Sequence, residues 1–130
     1  MRAATSWIFV SAAVALSACS KEYRVEKRVD DLKVTLIAGS YPLLLGDNPL
    51  MLRITEQTGE AINGAAVKAR YWLPPMPGMG AVESVTEAAL ATGGFSFIAS
   101  THTAARWNVE VTISRPGKRD SQVGFTLEAL

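Results

Sequence analysis

Apolar and polar residues alternate along most of this chain, and that period of two constrains its fold more than any other feature. A pleated strand points successive side chains to opposite faces, so strict alternation marks a sheet with one face buried. Leu32, Val34, Leu36 and Ala38 share a face in LKVTLIA. Leu50, Leu52 and Ile54 oppose Met51, Arg53 and Thr55. The pattern returns at Val67–Leu73, Phe95–Ala99, Trp107–Ile113 and Val123–Ala129. Gly46-Asp47-Asn48, Thr58-Gly59, Asn63-Gly64, Gly93-Gly94 and Pro116-Gly117 fall between these runs, where reversals of the chain are expected. The stretch Glu83–Ala91 mixes good helix formers with Val85 and Thr86. Its neighbours favour a strand, with a short helix as the alternative. About seven short strands separated by turns predict an all-β, antiparallel two-sheet sandwich over residues 32–130. Trp107 opens the cleanest run and is the expected core anchor, with Tyr71, Phe95, Phe97 and Phe125 around it.

The start of the chain follows different rules. Arg2 precedes the apolar run Trp7–Leu16, which has the length and flanks of a secretion signal rather than of a membrane span. The run ends in Leu16-Ser17-Ala18-Cys19. Small residues before a lone cysteine resemble the bacterial lipoprotein processing box. That resemblance implies a signal peptide over residues 1–18, cleavage before Cys19 and lipidation of its thiol, so that the membrane is a partner through the anchor. An ordinary cleaved signal that leaves a free thiol is the alternative. Ser20 in the next position implies the periplasmic face of the outer membrane rather than the inner membrane. The segment from Lys21 to Asp31 carries eight charges of both signs. With Cys19 and Ser20 it reads as a solvated tether over residues 19–31, or as a short surface helix.

Without residues 1–18 the chain has 12 basic and 12 acidic side chains and is formally neutral. No basic run is interleaved with aromatics, so nucleic acid is not an expected partner. Cys19 is the sole cysteine, so the folded part holds neither disulfide nor thiolate metal site. His102 is the sole histidine. Ser100 and His102 would have to supply any serine-type catalytic arrangement. They are near neighbours at a strand end, and no nucleophile motif surrounds them. The chain is therefore read as a non-enzyme.

The stretch YWLPPMPGMGAV concentrates two thioethers in a proline-broken segment. Thioethers are soft, uncharged ligands that select Cu(I). Pro77 and Gly78 set a bend between Met76 and Met79, and His102 is a third candidate ligand from a separate loop. Methionine is equally an adaptable contact surface. On that reading Pro74, Pro75, Met76, Pro77 and Met79 form an apolar loop that docks on an envelope protein or efflux component.

Several motifs in order carry a family resemblance. They are Gly46-Asp47-Asn48 before a strand, Gly59 to Gly64-Ala65-Ala66-Val67, Met76-Pro77-Gly78-Met79, Gly93-Gly94-Phe95 and Arg106-Trp107. Together, from Leu36 to Ser114, they resemble the YtkA-like and FixH-like group of small bacterial periplasmic domains. The resemblance implies an immunoglobulin-like sandwich and a setting beside copper handling, heavy-metal efflux or oxidase assembly. It puts Met76 and Met79 on the family's methionine loop and Trp107 on its aromatic position. The chain departs from the pattern in three places. No histidine adjoins the methionine loop, Arg106 replaces a small residue, and no further methionine lies near Trp107. Two functions follow as expectations: a non-enzymatic interaction module accessory to an efflux or envelope complex, or a Cu(I)-binding accessory or chaperone.

Overall fold

The computed structural model describes residues 22–62 and 64–130. The signal segment 1–18, the lipidation site Cys19 and Asn63 lie outside the described residues. Eight strands follow one another: β1 (Tyr23–Val29), β2 (Leu32–Ala38), β3 (Gly46–Glu56), β4 (Ala66–Leu73), β5 (Val82–Ala91), β6 (Gly94–Thr101), β7 (Ala105–Ser114) and β8 (Ser121–Ala129). Every ladder between them is antiparallel. Each alternating run of the sequence is a strand, and Glu83–Ala91 takes its strand form within β5.

Two expectations give way. The strands number eight rather than seven, and they form one continuous sheet, in the order β1-β2-β3-β6-β5-β4-β7-β8, rather than two clear layers. The reason is β5. Its residues Val82–Ala88 pair with β4, and its last three, Ala89–Ala91, pair with β6. One strand thus carries the hydrogen-bonding around a corner. The two ends of the order, β1 and β8, then approach each other. Lys27 Nζ donates to the Gly124 carbonyl, and Ser121 Oγ donates to Asp30 Oδ2 at 2.8 Å. The result is a nearly closed, barrel-like sheet whose seam is bridged by side chains.

The extra strand lies in the segment read as a tether. Tyr23, Val25 and Val29 are half-buried while Arg24, Glu26 and Arg28 face water. Lys27 has the inward parity of an apolar residue. Its ammonium lies over the Phe125 ring, with Nζ 5.3 Å from the centroid, and donates to the Gly124 carbonyl on β8. The residue stays exposed, so the charge holds an inward-parity position at the edge of the sheet at little cost. Asp30, at φ 51°, and Asp31 make the two-residue turn into β2, a conformation that Asp tolerates better than most residues.

The core is the inward face of β2, β3, β4, β6, β7 and β8. Trp107 is 2% exposed and its ring centroid lies 6.0 Å from that of Tyr71. Phe95, Phe97 and Phe125 are buried in the same cluster. At about 1.5–3 kcal/mol for each large apolar side chain buried, this face dominates stability. Gly94 shows how closely β3 and β6 approach. A Cβ built there would lie 2.2 Å from the Leu52 carbonyl oxygen, so only glycine fits. Gly46-Asp47-Asn48, expected as a turn, instead begins β3. Asn48 faces inward, 5% exposed, and works as a substitute for backbone pairing.

Candidate functional site

The strand directions gather three connections at one end of the barrel: residues 39–45, 74–81 and 102–104. Tyr23, where β1 begins, and Leu130 lie at the same end. The opposite end holds the turns after β1, β3, β5 and β7.

The methionine segment leaves β4 after buried Leu73. Pro74 and Pro75 follow; proline has no N–H to give a ladder, so sheet pairing stops there. Met76, Pro77, Gly78 and Met79 then form a tight turn. Met79 N donates to the Met76 carbonyl at 3.0 Å, and Gly78 has φ +80°. Proline at the second position and a positive-φ glycine at the third define a type II turn. Met76 and Met79 are its paired first and last residues. They are 37% and 38% exposed, so both thioethers are open to solvent. The base of the segment is braced by Arg70. Its guanidinium pairs with Glu83 on β5 and lies 4.2 Å from the centre of the Trp72 ring. Hydrogen bonding to Arg70 holds the Glu83 carboxyl below the usual range.

His102 is exposed and follows buried Thr101 at the end of β6. The core holds its loop in place. Trp107 Nε1 donates to the Thr103 carbonyl at 3.0 Å, and Ser100 N donates to Tyr71 Oη at 3.1 Å. Tyr71 sits two residues before the end of β4, so the Tyr71–Trp107 pair links the roots of the methionine and His102 loops. The topology therefore brings His102 to the same end as Met76 and Met79. Ser100 Oγ donates to Asp47 Oδ1 at 2.6 Å, which gives the serine a carboxylate partner and not an imidazole. Among the described residues no three His, Cys, Asp or Glu side chains are grouped to hold a metal ion. The chemistry available at this end is that of two exposed thioethers, with an imidazole on another loop of the same end.

The third connection was not singled out from the sequence as a site. Leu43 N donates to the Glu128 carbonyl at 2.8 Å and Leu130 N donates to the Leu43 carbonyl at 3.0 Å, so the segment crosses from β2 to the end of β8 before entering β3. Asn48 fixes it: Oδ1 accepts from Leu44 N at 2.9 Å, and Nδ2 lies 2.8 Å from the Leu44 carbonyl and 3.0 Å from Thr101 Oγ1. Leu43 is buried, whereas Leu44 and Leu45 are 62% and 53% exposed. The run Leu43-Leu44-Leu45 between Pro42 and Gly46 was the available signal, since an apolar run too short for another strand marks a loop that buries or presents leucines.

Comparison with curated proteins finds no match. Among solved structures, FetP of uropathogenic Escherichia coli, as isolated, has a similar fold, with a TM-score of 0.55 and 12% identity over 83% of this chain and 95% of FetP. A copper-bound variant of FetP gives the same score and identity over 83% of this chain and 97% of its own. A copper-bound variant of Campylobacter jejuni P19 gives 0.50 at 11% identity, over 84% and 99%. At these identities the likeness is one of fold. The YtkA-like family model matches residues 26–112, from within β1 to within β7 and across the methionine turn, and the chain belongs to that family.

Proposed function

We propose that this chain is a lipid-anchored, non-enzymatic periplasmic protein that binds Cu(I) reversibly at Met76 and Met79 and passes it on. The observation that carries the reading is the type II turn that pairs the two methionines and leaves both thioethers open. Soft thioethers favour Cu(I) over harder divalent ions, and they survive in an oxidising compartment where thiols are consumed. Two such ligands give weak binding, and His102, from the neighbouring loop, completes a three-coordinate set. A shallow, exposed site suits transfer: an incoming ligand displaces one thioether at a time, and no covalent chemistry is needed. Support also comes from the copper-bound proteins of similar fold. The anchor is Cys19, at the periplasmic face of the outer membrane.

The test is an anaerobic Cu(I) competition titration of soluble residues 20–130 beside its Met76→Leu/Met79→Leu variant. Saturable one-to-one binding that disappears in the variant is expected. Both side chains are exposed, so the variant's stability should stay within about 0.5 kcal/mol of the parent. Equal affinity in the two proteins would overturn the site. Absence of binding in both would leave the second reading, in which the Pro74–Met79 surface docks on an envelope or efflux protein. That reading is favoured by the solvent exposure of the whole Pro74–Gly80 segment.

A further inference from the structure

We infer that the loop end of the barrel lies against the lipid bilayer, with Leu44, Leu45 and Leu130 seated at its surface. The inference rests on Cys19 as the lipid site and adds what the anchor does to the domain. Because β1 begins at Tyr23, three residues separate it from Cys19, and the four steps along the chain span at most about 14 Å. That is shorter than β1 itself, so the anchor cannot hold the domain well clear of the membrane. Tyr23 enters at the end that presents the leucines.

Those leucines are not loose. Leu43 is plugged into the core, and its backbone is bonded to Glu128 and Leu130. Leu44 is bonded on both its N–H and its carbonyl by the Asn48 side chain, and Thr101 Oγ1 also donates to that carbonyl at 2.9 Å. A buried polar network thus fixes two leucines outward, and the backbone holds Leu130, 73% exposed, beside Leu43. Beside them Tyr23 and Tyr41 stack with ring centroids 3.8 Å apart, a residue type enriched where bilayer meets water. The opposite end offers charged turns at Asp30-Asp31 and at Lys118-Arg119-Asp120, whereas charges at this end are tied up in pairs on the strands, Arg106 with Glu128 and Arg24 with Glu22. The occupant that fits an apolar, rigidly held rim within four residues of an acyl chain is the bilayer carrying that chain. The methionine turn shares this end, so metal would be exchanged at the membrane surface.

The test uses the full chain, processed and lipidated in a bacterial host and reconstituted into vesicles of phosphatidylethanolamine and phosphatidylglycerol. An environment-sensitive fluorophore is placed on Leu45→Cys or, at the opposite end, on exposed Thr58→Cys. Co-flotation with the vesicles reads the anchor. Quenching by lipids brominated along the acyl chain reads the docking. Co-flotation of both proteins, with quenching at position 45 alone, supports the inference. Co-flotation with neither position quenched overturns it, leaves the anchor intact, and returns the leucine rim to a protein partner. Failure to float removes the anchor reading and the docking with it.

Discussion

The two ends of this barrel solve the same problem in opposite ways. At the hairpin end the turns are charged and held by ion pairs. Arg115, its side chain 10% exposed, places Nη1 and Nη2 on the two oxygens of Asp31 at 3.0 and 2.6 Å, and Lys118 adds a longer contact at 3.4 Å. This clasp ties the β1–β2 turn to the β7–β8 turn across the seam. At the loop end neutral groups hold the 39–45 and 102–104 connections, through Asn48, Thr101 and the hydroxyl and indole groups of Tyr71 and Trp107, while the ion pairs Arg70–Glu83 and Arg106–Glu128 stay on the strands beside them. Asp31 and Lys118 keep their charges in water at the first end while the Arg115 side chain is nearly buried, and apolar side chains are exposed at the second. The difference teaches where function can sit. An end secured by its own exposed charges needs nothing further, whereas an end secured from beneath leaves its outer surface free for a ligand.

Breaking the support of the loop end should have the largest effect. Trp107→Ala removes a buried ring and the donor to Thr103 together, and should cost about 3–5 kcal/mol. The denaturation midpoint checks it, and a midpoint near the parent value would refute the core role. Asn48→Ala strips the partner from the Leu44 N–H and should cost about 1–3 kcal/mol, with faster amide exchange confined to residues 43–46. Spread of that exchange to the hairpin end would erase the contrast between the two ends.

The hairpin end should answer to pH instead. Hydrogen bonding to Arg115 holds the Asp31 carboxyl well below its ordinary range. A carboxylate depressed in the folded state stabilises it above the unfolded pKa and loses that contribution as pH falls toward the folded value. The parent should therefore lose stability on acidification below about pH 4, and Asp31→Asn should show a shallower acid slope. Because Asp31 is half exposed, the effect at neutral pH should be the smallest of the three and should shrink further in high salt. Acid denaturation curves at two salt concentrations would decide this.

Alternation made most of the sheet legible, since β2, β3, β4, β6, β7 and β8 each keep one face largely apolar, whereas β5 turns Ser84 and Thr86 inward with Val82 and Ala88 and leaves Val85 and Leu90 exposed. It failed at β1, where Lys27 stands at an inward position and charge density hides the period of Tyr23, Val25 and Val29. It was also silent about closure. Nothing in the residues of β5 marks Ala89 as the point where the strand leaves β4 for β6, because the corner is a matter of which neighbour is within reach. The bend at the methionines was readable, as Pro77-Gly78 prescribes a type II turn. The run Leu43-Leu44-Leu45 marked a loop, but which leucine faces inward was not readable, because that is set by the Leu43 bond to Glu128, far away in sequence, and by the Asn48 side chain.

One consequence of β1 concerns reach. It is an outer strand of the sheet, half-buried at best, paired by a ladder to β2 alone and fastened to β8 by side chains. Under the proposed anchor at Cys19, a paired β1 would give the domain a radius of about 14 Å, whereas peeling the seven residues of β1 would extend it to nearly 40 Å. Elements with few buried contacts open first. On that proposal, the free energy that pairs β1 to β2 would set how far from the bilayer this domain can work. The charged segment is a wall of the barrel when paired and, under the proposed anchor, would be its leash when peeled.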